Sequence, residues 1–103
     1  MTVELLWWDG CPSHPEALEQ LRRILDEEGL TPDIRLREVT SDEQAQRERF
    51  PGSPTIRING EDVLPQPDVE HFALTCRIYR MRDGRISPVP DPEDVREAVR
   101  RAA

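Results

Sequence analysis

The tightest constraint on this chain is the change of apolar period between residues 3 and 39. "VELLWW" (3–8) is a short apolar run ended by Asp9-Gly10, and its length reads as a largely buried strand. From Glu16 to Glu28 the period becomes helical. Ala17, Leu18, Leu21, Ile24 and Leu25 form one stripe, while Glu19, Gln20, Arg22, Arg23 and Glu27 fill the other side. Gly29 stands where a helix ends in its C′ residue. "DIRLREV" (33–39) then alternates, with Ile34, Leu36 and Val39 expected inward. Strand, helix and strand in that order call for a right-handed parallel crossover, which commits the chain to an α/β arrangement.

The remainder extends that core. "SDEQAQRERF" (41–50) opens on a good N-cap and reads as a short polar helix stopping before Pro51-Gly52. "PTIRINGEDVL" (54–64) is a hairpin candidate, because Asn59-Gly60 tolerates the positive φ angles of a type I′ turn. A two-residue turn sets Arg57 opposite Asp62 as an ion pair and Ile56 opposite Val63 as an apolar pair. "LPQPDVEHFA" (64–73) reads as a loop with one helical turn. "LTCRIYR" (74–80) alternates and is expected to pair with "RISPV" (85–89) across Asp83-Gly84. Asp91 or Asp94 caps a last helix whose inner face is Val95, Ala98, Val99 and Ala102. The expected order is β-α-β-α-β-β, an insertion, then α, and 103 residues suit a single domain.

Composition removes several functions. The net charge of −7 disfavours nucleic acid or anionic lipid as the main partner. All 14 basic residues are arginine, so Schiff-base chemistry and a P-loop lysine are excluded. No stretch reaches the roughly 20 apolar residues of a membrane span, and "MTVELLWWDG" lacks the features of a signal peptide. A cytoplasmic location is therefore expected. Two cysteines there read as reduced thiols, metal ligands or a transient redox pair rather than a permanent disulfide. No cofactor motif is present.

Attention falls on "WWDGCPSHPE" (7–16), which puts Cys11 at the start of the first helix. Exposed N–H groups and the partial positive charge of a helix N-terminus stabilise a thiolate. With Cys11 as N-cap, Pro15 would break the first turn. With Ser13 as N-cap, Pro15 is harmless and Glu16 completes an S-x-x-E capping box, so the Ser13 register is favoured. His14 reads either as an exposed first-turn histidine or as a group that hydrogen-bonds the sulfur. Trp7 and Trp8 point to opposite sides of the first strand, one into the core and the other available to cover the sulfur.

A first strand running into Cys-Pro-x-x, a long helix, a strand and helix, and then "GSPT" opening a hairpin resembles the thioredoxin/glutaredoxin superfamily. The resemblance spans about residues 3–64. It implies a thioredoxin-like fold: a mixed four-stranded sheet, with an insertion before the last helix. By match Cys11 is the nucleophile, Pro54 is a cis-proline facing it, and Ser53 presents its backbone to an extended substrate peptide. Pro12 and Trp8 are expected beside that substrate. Similar small bacterial proteins, some with selenocysteine at the matching position, imply a nucleophilic role there.

The departure is His14, which stands where a second motif cysteine belongs. Cys11 then acts as a monothiol, is resolved by Cys76 from elsewhere, or has lost redox function. Cys76 shares an expected strand face with Leu74 and Ile78, which argues for a buried structural cysteine. The resolving role requires Cα atoms within about 7 Å. The expected function is monothiol exchange through Cys11 with a disulfide-containing or glutathionylated protein or small thiol, in a monomer or weak dimer. Two alternatives stand beside it: a soft-metal site, with zinc held by Cys11, His14, His71 and Cys76 or copper(I) or mercury held by the thiols, and a noncatalytic interaction domain.

Overall fold

The computed structural model describes residues 1–103 as a mixed α/β structure with three helices. Strand β1 (Val3–Trp7) leads into helix α1 (His14–Glu27), then β2 (Ile34–Glu38), α2 (Asp42–Glu48) and β3 (Thr55–Ile58). Short strands β4 (Glu61–Asp62), β5 (Tyr79–Arg80) and β6 (Ile86–Ser87) precede α3 (Pro92–Ala102). Four strands form one sheet in the order β2-β1-β3-β4, with β1 parallel to β2 and antiparallel to β3. β5 and β6 form a separate antiparallel hairpin.

Alternation along β1 divides the core. Val3 and Leu5 join Leu21, Ile24 and Leu25 of α1 and Val95 and Val99 of α3, with Trp7 against the same cluster. Leu6 faces the other way, onto Val39, Ala45 and Phe50, with Trp8 beside them. Helices thus cover both faces of the sheet, so side chains on either side of its strands are taken out of water.

The caps explain the helix limits. α1 ends in a Schellman motif: the N–H of Gly29 donates to the Asp26 carbonyl and that of Leu30 to the Leu25 carbonyl, with Gly29 at φ +71°. Ser41 caps α2 by accepting from the Gln44 N–H, and Asp91 caps α3 by accepting from that of Glu93. Ser13 is the N-cap of α1, but its side chain makes no capping bond, so the expected box with Glu16 does not form.

Four further expectations need correction. Leu36 lies beside Leu5 on the α1 side of the sheet but is 50% exposed, because β2 is an edge strand with a neighbour on one side only. The β3–β4 register sets Arg57 against Asp62 across a turn with both Asn59 and Gly60 at positive φ, but the two side chains do not pair. Arg57 instead donates to the carbonyls of Glu48 and Arg49, where the end of α2 offers unpaired acceptors and negative partial charge. Residues 64–73 contain a turn at Pro67-Asp68 and no helix. Finally, 74–80 runs in the opposite phase: Arg77 and Tyr79 are buried, while Cys76 and Ile78 are exposed.

Candidate active site

Cys11 lies in the connection between β1 and α1, its N–H donating to the Trp8 carbonyl at 3.1 Å. It is 4% exposed. Its sulfur is 3.7 Å from Ser13 Oγ and 3.6 Å from the Ser53 carbonyl oxygen. The serine hydroxyl that leaves α1 uncapped therefore lies by the sulfur, where it can donate to a thiolate, and in the first turn, where Pro15 has no N–H, those of His14 and Glu16 carry no side-chain cap.

Cys76 is joined to Cys11 by a disulfide, with Cα atoms 5.5 Å apart across 65 residues of sequence. No cysteine is left free. The reading of Cys76 as a buried structural residue fails because its neighbours set the phase. Arg77, not Cys76, occupies the interior: its guanidinium pairs with Asp62 at 2.7 Å and also donates to Thr55 Oγ1 and the Leu64 carbonyl. Tyr79 packs 4.4 Å beneath that guanidinium and donates its hydroxyl to the Pro54 carbonyl. Burial pushes the Tyr79 phenol upward, with Arg77 opposing, so it stays a neutral donor.

The Ser53–Pro54 peptide bond is cis, and Ser53 and Pro54 are both buried. Ser53 does not present a vacant edge to a peptide. Its N–H donates to the Thr75 carbonyl at 2.8 Å, and its carbonyl accepts from the Arg77 N–H at 2.9 Å. The chain's own segment 75–77 thus lies on that edge as a parallel bridge, which delivers Cys76 to Cys11. Gly52 permits the approach: at φ +139° it has no Cβ, and one placed there would meet Arg77 backbone atoms at 2.9 Å.

The remaining candidates separate. Pro12 is exposed on the site. His14 stacks on Trp7 with ring centroids 4.1 Å apart, and its Nδ1 is buried without a partner. Trp8 does not cover the sulfur. Strand alternation sends it to the α2 side with Leu6, and its indole lies over Gly10, where any Cβ would collide with it. Only its backbone serves the site, donating to Ser53 Oγ at 3.0 Å. His71 is exposed, and no three His, Cys, Asp or Glu side chains gather as metal ligands.

The disulfide opens into a largely apolar groove of about 530 Å³ bounded by Pro12, Cys76, Ile78, Ile86 and Pro88. Ile78 and Ile86 are 67% and 70% exposed. A more polar hollow near Arg49 and Phe72 lies elsewhere, its Arg57 and Asp62 engaged by Glu48 and Arg77. Ser13, Gly52, Arg77 and Tyr79 were not singled out as site residues from sequence. The one available signal was Arg77 directly after a cysteine in an alternating stretch. Compared with protein-family models, curated proteins and solved structures, the chain matches none of them.

Proposed function

We propose that this chain is a thioredoxin-like protein of thiol–disulfide exchange whose redox couple is Cys11–Cys76. The strand order β2-β1-β3-β4 supports the thioredoxin-like reading, as does the location of Cys11 between β1 and α1. One observation carries the function: two cysteines remote in sequence form a disulfide at the wall of an apolar groove. In the reduced form, one thiolate attacks a substrate disulfide and expels one substrate thiol. The second thiolate then attacks the mixed disulfide, releasing the other substrate thiol and closing Cys11–Cys76. Two electrons pass from the protein to the substrate. A disulfide-containing or glutathionylated protein fits this couple, and a reducing, cytosolic thiol pool returns it to the dithiol.

The test is equilibration in glutathione buffers of graded ratio, followed by acid quench, alkylation and mass measurement. The expected result is reversible opening with the circular dichroism of the fold retained, and loss of catalysed reduction of a model disulfide in both C11S and C76S. A second reading, a fixed cross-link, draws on the anchoring of segment 75–79 by Ser53, Asp62 and Pro54. A disulfide that glutathione and dithiothreitol leave closed until the protein unfolds would establish the cross-link and refute exchange.

A further inference from the structure

The two sulfurs of the disulfide are not equivalent, and their difference has a chemical consequence. Resting on the exchange reading, we infer that external thiols enter at Cys76 and that Cys11 is the leaving group. This reverses the assignment of Cys11 as the sulfur that meets the partner.

Access and leaving-group stability point the same way. A thiolate attacks one sulfur of a disulfide from the side away from the other, so the attacked sulfur must be open. Both cysteines line the groove, but Cys11 is 4% exposed and crowded by Ser13 and the Ser53 carbonyl, whereas Cys76 is an exposed residue. The better leaving group is the thiolate the protein stabilises more. Cys11 has the uncapped first turn of α1 and the Ser13 hydroxyl, set against the single Ser53 carbonyl, while Cys76 sits in an extended segment whose neighbouring N–H, that of Arg77, is spent on Ser53.

An external thiolate RS⁻ forms a bond to Cys76 Sγ, the Cys11–Cys76 bond breaks, and its electron pair remains on Cys11 Sγ as thiolate. A second external thiolate then attacks the R sulfur of the mixed disulfide, giving RSSR and the Cys76 thiolate. In reverse, Cys76 forms the mixed disulfide with the substrate and Cys11 resolves it from inside. The hydrogen bonds of Ser53 to residues 75 and 77 keep Cys76 within reach throughout.

The experiment uses the oxidised wild-type chain. It is mixed with glutathione, and after milliseconds N-ethylmaleimide is added to cap any released thiolate. Trypsin cuts only after arginine in this sequence, so Cys11 and Cys76 fall in the separate peptides 1–22 and 58–77. The expected product carries glutathione on Cys76 and maleimide on Cys11, exceeding the reverse product by roughly tenfold or more, as access and leaving group act together. In a second measurement, C11S should react with 5,5′-dithiobis(2-nitrobenzoate) faster than C76S. Glutathione on Cys11, or an even split, overturns the assignment and leaves exchange standing. No opening by glutathione or dithiothreitol overturns exchange itself, and the assignment with it.

Discussion

Arg77→Met tests most directly what holds Cys76 against Cys11. The Arg77 side chain is 1% exposed and pairs with Asp62, whose own side chain keeps 15% exposure. Methionine preserves the apolar stem but removes every donor, including those to Thr55 and Leu64. Taking away one member of a buried ion pair costs about 3–5 kcal/mol. Asp62 can partly rehydrate, which puts the loss at the lower end, about 3 kcal/mol. Asp62→Leu should cost a comparable amount, because it leaves a buried guanidinium without its counter-charge. The double variant R77M/D62L should recover most of the loss, since an apolar pair of similar volume removes both charges together. The assay is urea unfolding of the oxidised protein followed by the fluorescence of Trp7 and Trp8. A parallel glutathione titration reads how well Cys76 is presented, each tenfold fall in closure reflecting about 1.4 kcal/mol of lost positioning. A loss below about 1 kcal/mol in R77M, with the glutathione equilibrium within about twofold, would refute the claim that Arg77 positions Cys76.

Gly52→Ala should push segment 75–77 off Ser53 and weaken disulfide closure, at about 2–3 kcal/mol for a strained φ with a backbone collision; an unchanged glutathione equilibrium would contradict this. Asp91→Ala removes the α3 cap and the acceptor for the Arg82 N–H, costing about 1–2 kcal/mol at neutral pH. The Arg82 and Glu93 N–H groups hold the Asp91 carboxyl below its ordinary value, so its stabilisation is present above that value and lost as pH falls through the depressed one. Urea midpoints of wild type and D91A should therefore converge in acid; a constant gap between pH 7 and pH 3 opposes it. His14→Ala should cost about 1 kcal/mol through its stacking on Trp7 and change the tryptophan emission, while exchange stays within about twofold; a larger kinetic loss would give the imidazole a role at the sulfur. Reduction of Cys11–Cys76 releases a loop closed over 65 residues and should lower stability by about 4 kcal/mol, read by urea unfolding with and without dithiothreitol.

Residues 3–64 were legible because each element carries its own period and punctuation. The α1 stripe ends at Gly29, Ser41 begins α2, and Asn59-Gly60 turns β3 into β4. The location of Cys11 could be read for the same reason. The partners of the charged groups could not. Arg57 faces Asp62 in register, yet the carbonyls ending α2 attract it more, and only the packed structure brings those carbonyls near. Ser13 was legible as an N-cap but not as a neighbour of sulfur, since a hydroxyl choosing between backbone and thiolate leaves no pattern in the sequence. The cysteine partnership was likewise silent, because nothing local fixes where residue 76 lies relative to residue 11.

The misreading of residues 74–80 has a more specific cause. Alternation alone puts Leu74, Cys76 and Ile78 inward, and burying the isoleucine would gain about 1.5–3 kcal/mol. Two forces oppose that phase. Arg77 finds a carboxylate, a hydroxyl and a carbonyl inside, with only its Nε left unpartnered, and Tyr79 finds the Pro54 carbonyl, so most of their buried polar atoms are paired. The segment also pairs with Ser53 through only two hydrogen bonds, too little sheet for an apolar face to dictate the register. The result leaves Ile78 and Ile86 in water beside Cys76, a stability cost that the core has no need to incur. Rules of burial give way at sites of function more readily than elsewhere. Here they give way around one sulfur: the inward Arg77 and Tyr79 leave Cys76 on the outer side of its segment, where, on the exchange reading, a partner thiol would reach it.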